Sequence, residues 1–206
     1  TLGDAICASH TITFISAKPG LLTADGPDHS GEIRVANLEL KPEINQQPDG
    51  KRLTLTDFSA HLKARLKNSH KGSFGSLGIL GGAPSMTGAA FLAGRAALML
   101  GAGRVYLGLV DSHAPAFDPL QPELMLRPAQ SLLQTKLDAM ACGPGLGVSL
   151  QASEMLECAV DLDLPLVLDA DAINLIASEG NLQVALASRP LPAILTPHPT
   201  EAARLL

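Results

Sequence analysis

The segment Gly78-Ile79-Leu80-Gly81-Gly82-Ala83-Pro84-Ser85-Met86-Thr87-Gly88-Ala89-Ala90 runs from an apolar strand through a glycine turn into the start of a helix. A junction of this kind leaves the first backbone N–H groups of the helix without intrahelical partners and offers them to an anion. The helix it predicts, about Thr87 to Leu100, carries Ala89, Ala90, Ala93, Gly94, Ala96 and Ala97, so its backbone can lie close to a sheet or a ligand. Gly101 and Gly103 end it, and Arg104 to Val110 reads as the next strand. The result is a strand–helix–strand unit with a phosphate-type turn.

The chain's 206 residues, 46% hydrophobic and 17% charged, are enough to bury a real core and exclude disorder. Aromatics are only 3% with no Trp, which removes the usual stacking platforms for single-stranded nucleic acid, and the net charge of −5 argues the same way. Cys7, Cys142 and Cys158 are widely spaced, with no CxxC or paired His, so neither a disulfide framework nor a zinc site is expected. A reducing, cytoplasmic setting fits this usage. No run approaches the roughly 18 apolar residues of a membrane span, and the opening residues lack a signal-peptide layout.

Thr11 to Ser16 alternates like a strand, and Lys18-Pro19-Gly20 turns out of it; a second strand is expected over 32–35. Residues 41–52 hold Pro42, Asn45, Gln46, Gln47, Pro48, Asp49 and Gly50, the composition of a linker. A short helix is expected from an N-cap at Thr56 towards Leu66, with Asp57 in its first turn. Strands then follow at 77–81, 104–110, 123–126, 137–142, 165–169 and 193–196, and helices at 87–100, 150–160, 172–178 and 199–206. This alternation predicts a mostly parallel sheet with helices on both faces, in which ligands sit at the carboxyl ends of the strands.

Three further segments fall at those ends. Met140 to Gly147 (MACGPGLG) is a second strand-to-glycine-loop junction. One such loop is as readily a tight turn as a ligand contact, but two in one sheet shift the balance towards phosphate. Neither ends in Gly-Lys-Ser/Thr, and neither matches GxGxxG with a following acidic residue, so the Walker and standard dinucleotide fingerprints are absent. In Leu168-Asp169-Ala170-Asp171-Ala172-Ile173-Asn174, Asp171 reads as a helix N-cap. Asp169 could order a magnesium ion or hold a neighbouring loop. Gly82, Gly88, Asp169 and Asn174 are thus candidates for phosphate or metal support. In Thr196-Pro197-His198-Pro199-Thr200-Glu201 a rigidly held histidine stands at the ligand-facing edge, Pro199 suits the first helical turn and Glu201 the helix's positive end.

Taken together, GGAPSMTGAAFLAGRAALMLGAGRV, PELM at 122–125, GPGLG at 143–147, LDADAIN at 168–174 and LTPHPTEAARLL at 195–206 resemble the ADP/ATP-dependent NAD(P)H-hydrate dehydratase family. The resemblance covers about residues 53–206 and implies a ribokinase-like α/β fold with its C-terminal part missing. Residues 1–40, through TITFISAKPGLL at 11–22 and the strand at 31–35, resemble the end of an NAD(P)H-hydrate epimerase module. The chain then reads as an internal piece of a bifunctional repair protein: an epimerase remnant at 1–40, a linker at 41–52 and the first part of the dehydratase at 53–206.

That resemblance implies a hydro-lyase that uses ADP or ATP to return the (6S)-hydrate of NAD(P)H to NAD(P)H, with Mg2+, and K+ for the epimerase module. It places Ala89, Gly145 or Gly147, and His198 in the substrate pocket, and implies a homo-oligomer. Two departures are visible. Thr200 stands where the family has Gly after His-Pro, and the Gly-Asp motif whose Asp is the family's catalytic base would lie beyond Leu206. No residue present is assigned as that base, and the piece alone is expected to be inactive. The alternatives are a ribokinase-like kinase of a vitamin precursor and a non-catalytic nucleotide-binding module.

Overall fold

The computed structural model describes residues 3–39, 50–62 and 64–206. The chain divides into two compact units, Thr1–Lys63 and Ala64–Leu206. Most of the linker expected over 41–52 lies outside the described residues.

In the first unit, β1 (His10–Phe14) and β2 (Glu32–Ala36) pair in parallel, connected through α1 (Pro19–Leu22) and α2 (Gly26–Ser30). The Thr11 hydroxyl donates to the Ser30 carbonyl at 2.6 Å, tying the first strand to the end of α2. The helix expected towards Leu66 is instead a single 3-10 turn, Leu55–Phe58, and its cap is Thr54 rather than Thr56. Asp57 accepts from the Thr54 backbone N–H at 2.8 Å and from its hydroxyl at 2.9 Å, a capping-box arrangement one residue pair earlier than expected. Leu55, Phe58 and Leu62 are exposed, so no packed face repays the cost of extending that turn.

The second unit is built on a parallel six-stranded sheet of order β5-β4-β3-β6-β7-β8. Its strands are β3 (Ser76–Gly81), β4 (Arg104–Leu109), β5 (Met125–Pro128), β6 (Ala139–Cys142), β7 (Leu166–Leu168) and β8 (Ala193–Leu195). The helices are α3 (Thr87–Met99), α4 (Ala129–Leu133), α5 (Leu150–Val160), α6 (Asp171–Ser178), α7 (Gly180–Ala187) and α8 (Pro199–Leu205). The fifth strand lies two residues later than its apolar run indicates, because a turn closed by the Leu124 N–H on the Gln121 carbonyl at 3.1 Å occupies the chain before it. Helices α4 and α7 were not anticipated: each carries only one or two buried positions, too few to show a period.

Parallel register aligns side chains in rows across the sheet, and successive rows point to opposite faces. One row, Leu80, Gly108, Cys142, Leu168 and Leu195, faces α4 and α5, and its Leu80, Cys142 and Leu168 are fully buried. The other, Leu107, Ile79, Ala141, Val167 and Ile194, faces α3. Along it exposure rises from 0% at Leu107 and 2% at Ile79 to 36% at Val167 and 61% at Ile194. Helices thus cover one face broadly and the other over β3 and β4. Gly94 permits the α3 contact, since a Cβ there would stand 2.8 Å from Leu107 Cδ2.

Two side-chain devices hold the edges. Arg95 of α3 meets Asp118 through Nε at 2.7 Å and Nη2 at 2.8 Å, and Asp118 Oδ1 also accepts from the Leu120 N–H at 3.0 Å. This pins the long 110–124 connection to α3. Arg189 at the end of α7 donates to the carbonyls of Val160, Leu162 and Leu164, fastening the α5–β7 turn. Among the described residues no helix is long and apolar enough to cross a membrane.

Hydrogen bonding from Arg95 holds the Asp118 carboxyl below the usual carboxylate range, against the opposing effect of burial. Its contribution to stability is therefore complete above the unfolded value near about 4 and is lost as pH falls through the lower folded value. Asp118→Asn should lower the melting temperature at pH 7, with the gap to the parent chain closing in melts run progressively below about pH 4. Burial pushes the Cys142 thiol up to about 12, while Cys7 and Cys158 are exposed. A thiol reagent at neutral pH should modify two of the three cysteines in the folded chain and all three after denaturation.

Candidate functional site at the carboxyl rim of the sheet

Strand order reverses between β3 and β6, where a parallel sheet opens a crevice at its carboxyl edge. The two glycine loops leave the sheet there side by side. Gly82 N–H donates to the Pro144 carbonyl at 3.2 Å and Ala83 N–H to the Gly145 carbonyl at 2.6 Å, so the two backbones stay bonded past the strand ends. The contact is close enough to demand glycine. A Cβ on Gly145, whose φ is +60°, would stand 2.4 Å from the Met86 carbonyl oxygen, and one on Gly143 would stand 1.8 Å from that of Asp169.

Helix α3 starts at this contact with no side-chain cap, and the N–H groups of Thr87 and Gly88 have no acceptor among the described residues. The N–H of Gly145 in the facing loop has none either. Three amide donors therefore belong to two segments in direct contact at one strand-order switch, an arrangement suited to an anion. Ala89 lies half-buried on this ground, with its Cβ 3.1 Å from the position a Gly145 Cβ would take. Gly82 is buried under Leu109 and Ala90, whereas Gly88 is exposed with open space where a Cβ would be. The far side of the second loop is held by Asp171, whose Oδ2 accepts from the Gly147 N–H at 2.8 Å. Asp171 is thus the first residue of α6 and a tie to the glycine loop, not the N-cap expected of it; Ala170 occupies the cap position.

Asp169 takes the loop-holding role, accepting from the Thr196 hydroxyl at 2.8 Å and so joining the ends of β7 and β8. Asn174 Oδ1 accepts from Arg204 of α8. His198 is the N-cap of α8: its Nδ1 accepts from the N–H groups of Thr200 at 3.1 Å and Glu201 at 3.4 Å. Its Nε2 stands 3.1 Å from Glu201 Oε1, while Glu201 Oε2 accepts from the His198 N–H at 3.0 Å. With Nδ1 accepting, the ring proton of the neutral imidazole is on Nε2. The side chain remains 59% exposed at the rim, two strands from β6 and hence roughly 10 Å along the sheet edge. Glu201, buried at 5%, is a positioning residue that residue-type reasoning left as a dipole partner. The capping-box spacing His198-x-x-Glu201 is the signal that would have found it.

The model of the NAD(P)H-hydrate dehydratase family matches residues 77–206. The chain belongs to this family. It is 36% identical over 211 residues to the bifunctional NAD(P)H-hydrate repair enzyme of Coxiella burnetii, covering 99% of this chain and 42% of that protein. It is 41% identical over 157 residues to the ADP-dependent (S)-NAD(P)H-hydrate dehydratase of Neisseria meningitidis, covering 74% of this chain and 53% of that one. Among solved structures, the ADP/ATP-dependent dehydratase of Bacillus subtilis, co-crystallised with ATP and Mg2+, superposes with a TM-score of 0.60 at 30% identity. That superposition takes in 74% of this chain and 54% of the other. A ribokinase-like superfamily protein of Enterococcus faecalis gives 0.57 at 27% identity, over 69% and 51% respectively. The dehydratase-family chain described here spans about half the length, or less, of these relatives, and its fold is ribokinase-like.

The loop contact separates two glycines by consequence. Gly145→Ala should lower unfolding free energy by on the order of 2 kcal/mol, because neither loop can retreat without breaking the Ala83–Gly145 bond. Gly88→Ala should change it by no more than about 1 kcal/mol, towards stability. Denaturant titrations of the two variants read the contrast directly.

Proposed function

We propose that the protein carrying this chain is a nicotinamide-cofactor repair enzyme, a hydro-lyase that restores NAD(P)H from its (6S)-hydrate with ADP or ATP as phosphoryl donor. The supporting observation is the contact of the two glycine loops at the β3/β6 switch, with the free N–H groups of Thr87, Gly88 and Gly145 around it. In this reading those donors hold the pyrophosphate bridge of the damaged dinucleotide. Ala89, Gly145 and Gly147 line the substrate site, and His198, fixed by Glu201, borders it.

The chemistry fits the scaffold. Hydroxide is a poor leaving group and phosphate a good one. Transfer of a phosphoryl group from the nucleotide to the 6-hydroxyl oxygen lets the C6–O bond break with phosphate departing, and loss of the neighbouring C5 proton restores the ring double bond. Fixed backbone dipoles stabilise charge on a transferring phosphoryl group without reorganising. No described residue is assigned as the base for that proton. Among the described residues no group of three or more His, Cys, Asp or Glu gathers to hold a metal. Asp169 and Asn174 already bond Thr196 and Arg204, so these residues do not build a Mg2+ centre and no step is routed through one. The alignment with the Coxiella enzyme takes in nearly the whole chain, which supports reading residues 1–40 as the end of an epimerase module.

The test supplies hydrated NADH or NADPH with ADP or ATP to the protein carrying this chain and follows the return of NAD(P)H absorbance. Nucleotide-dependent recovery is expected. Absence of recovery together with phosphorylation of a hydroxymethyl vitamin precursor would assign the fold to a small-molecule kinase instead.

A further inference from the structure

A cavity of about 460 Å³ opens at the carboxyl ends of β4 and β5, away from the residues assigned above. Leu109 and Leu126 supply an apolar wall, and Asp111, Ser112, Arg127, Gln130 and Gln151 supply polar groups. A few polar groups on an apolar hollow of this size is the composition of a small-molecule site. We propose that this cavity holds the adenosine half of the dinucleotide substrate, with Asp111 accepting hydrogen bonds from its ribose hydroxyls; the assignment rests on the dehydratase reading.

Three observations carry it. First, Asp111 follows β4 directly and is bound to the first glycine turn, its N–H donating to the Gly82 carbonyl at 3.0 Å. A glycine turn after one strand and a carboxylate at the end of the next, in one strand–helix–strand unit, is the pairing by which α/β folds hold a dinucleotide's bridge and its ribose. Second, the carboxylate is half engaged. Oδ1 accepts from the His113 N–H at 2.9 Å, whereas Oδ2 has no partner among the described residues, although the side chain is only 16% exposed. The turn thus aims an acceptor without using it.

Third, the spacing fits. With the bridge at the β3/β6 contact, β4 and β5 lie on one side and β7 and β8 on the other, each pair centred roughly 10 Å away at the usual strand separation. The reacting nicotinamide half is placed on the His198 side, over β7 and β8. Its adenosine counterpart then falls over β4 and β5, where the cavity is. Planar adenine meets the apolar wall, and the Gln130 and Gln151 amides can donate to and accept from its edge.

Asp111→Asn isolates the acceptor, because Asn Oδ1 can keep the bond from the His113 N–H while an NH₂ group replaces Oδ2. Ala114→Phe tests the space independently, since Ala114 lines the same cavity. Binding of NADH and of reduced nicotinamide mononucleotide is titrated by nucleotide fluorescence, with ADP saturating, in the protein carrying this chain and in both variants. The expected result is dinucleotide affinity weakened at least about tenfold by each substitution, through loss of one hydrogen bond to a charged group in Asp111→Asn and through lost space in Ala114→Phe, with mononucleotide affinity within about twofold. Equal weakening of both nucleotides, or an unchanged dinucleotide affinity, overturns the assignment. Hydrate turnover measured on the same samples reports the dehydratase reading separately: a selective loss of NADH binding without any turnover keeps the subsite and removes the reaction.

Discussion

Two backbone hydrogen bonds beyond the ends of β3 and β6, from Gly82 to Pro144 and from Ala83 to Gly145, set the geometry of the whole rim. Each replaces a loop's contact with water by a contact with the other loop. Two strands whose connections run to opposite sides of the sheet would ordinarily leave their loops splayed apart. Here the loops are held together, and the start of α3 is carried against the second loop through Met86 and Ala89. A side chain at Gly145 would sit inside that contact, so the absence of a Cβ is a condition of the arrangement.

The rest of the rim is tied outward from this centre by side chains whose residue types look catalytic. Asp171 reaches back to Gly147, Asp169 reaches sideways to Thr196, and Asn174 meets Arg204. Each bond joins segments that leave different strands, so the carboxylates act as ties between loops. Loops fixed in this way present their free amides in one geometry before a ligand arrives, which is the condition under which backbone dipoles are most effective on a developing charge. His198 follows the same pattern: its ring caps a helix with Nδ1, and the buried Glu201 accepts from its backbone N–H.

Most of the second unit was legible because its signals are local. Glycine punctuation and apolar runs located β3, β4, β6, α3 and α5 closely, since β3 and β4 are continuous buried runs bounded by glycines and β6 alternates in burial. The misplaced pieces depend on distant partners. Leu55 and Leu62 resemble a helical face, yet nothing packs on them, so the turn at Thr54 does not propagate. Asp171 has an N-cap's residue type and position, yet Gly147, 24 residues earlier, claims its carboxylate. The link between Asp111 and the first glycine turn was likewise invisible. It spans a full helix and strand, and the turn lacks the GxGxxG glycines that would have marked it.

The uneven cover of the sheet bears on where a ligand can enter. Over β3 and β4 the α3 face is closed by α3, and the opposite face is closed by α4 and α5, so a molecule at the switch can lie only along the rim. Over β7 and β8 the same α3-side row is exposed at Val167 and Ile194. In the proposed reading, the amide-lined loop contact stands between the adenosine half and the reacting ring, and binding energy gained at Asp111 holds that ring in place.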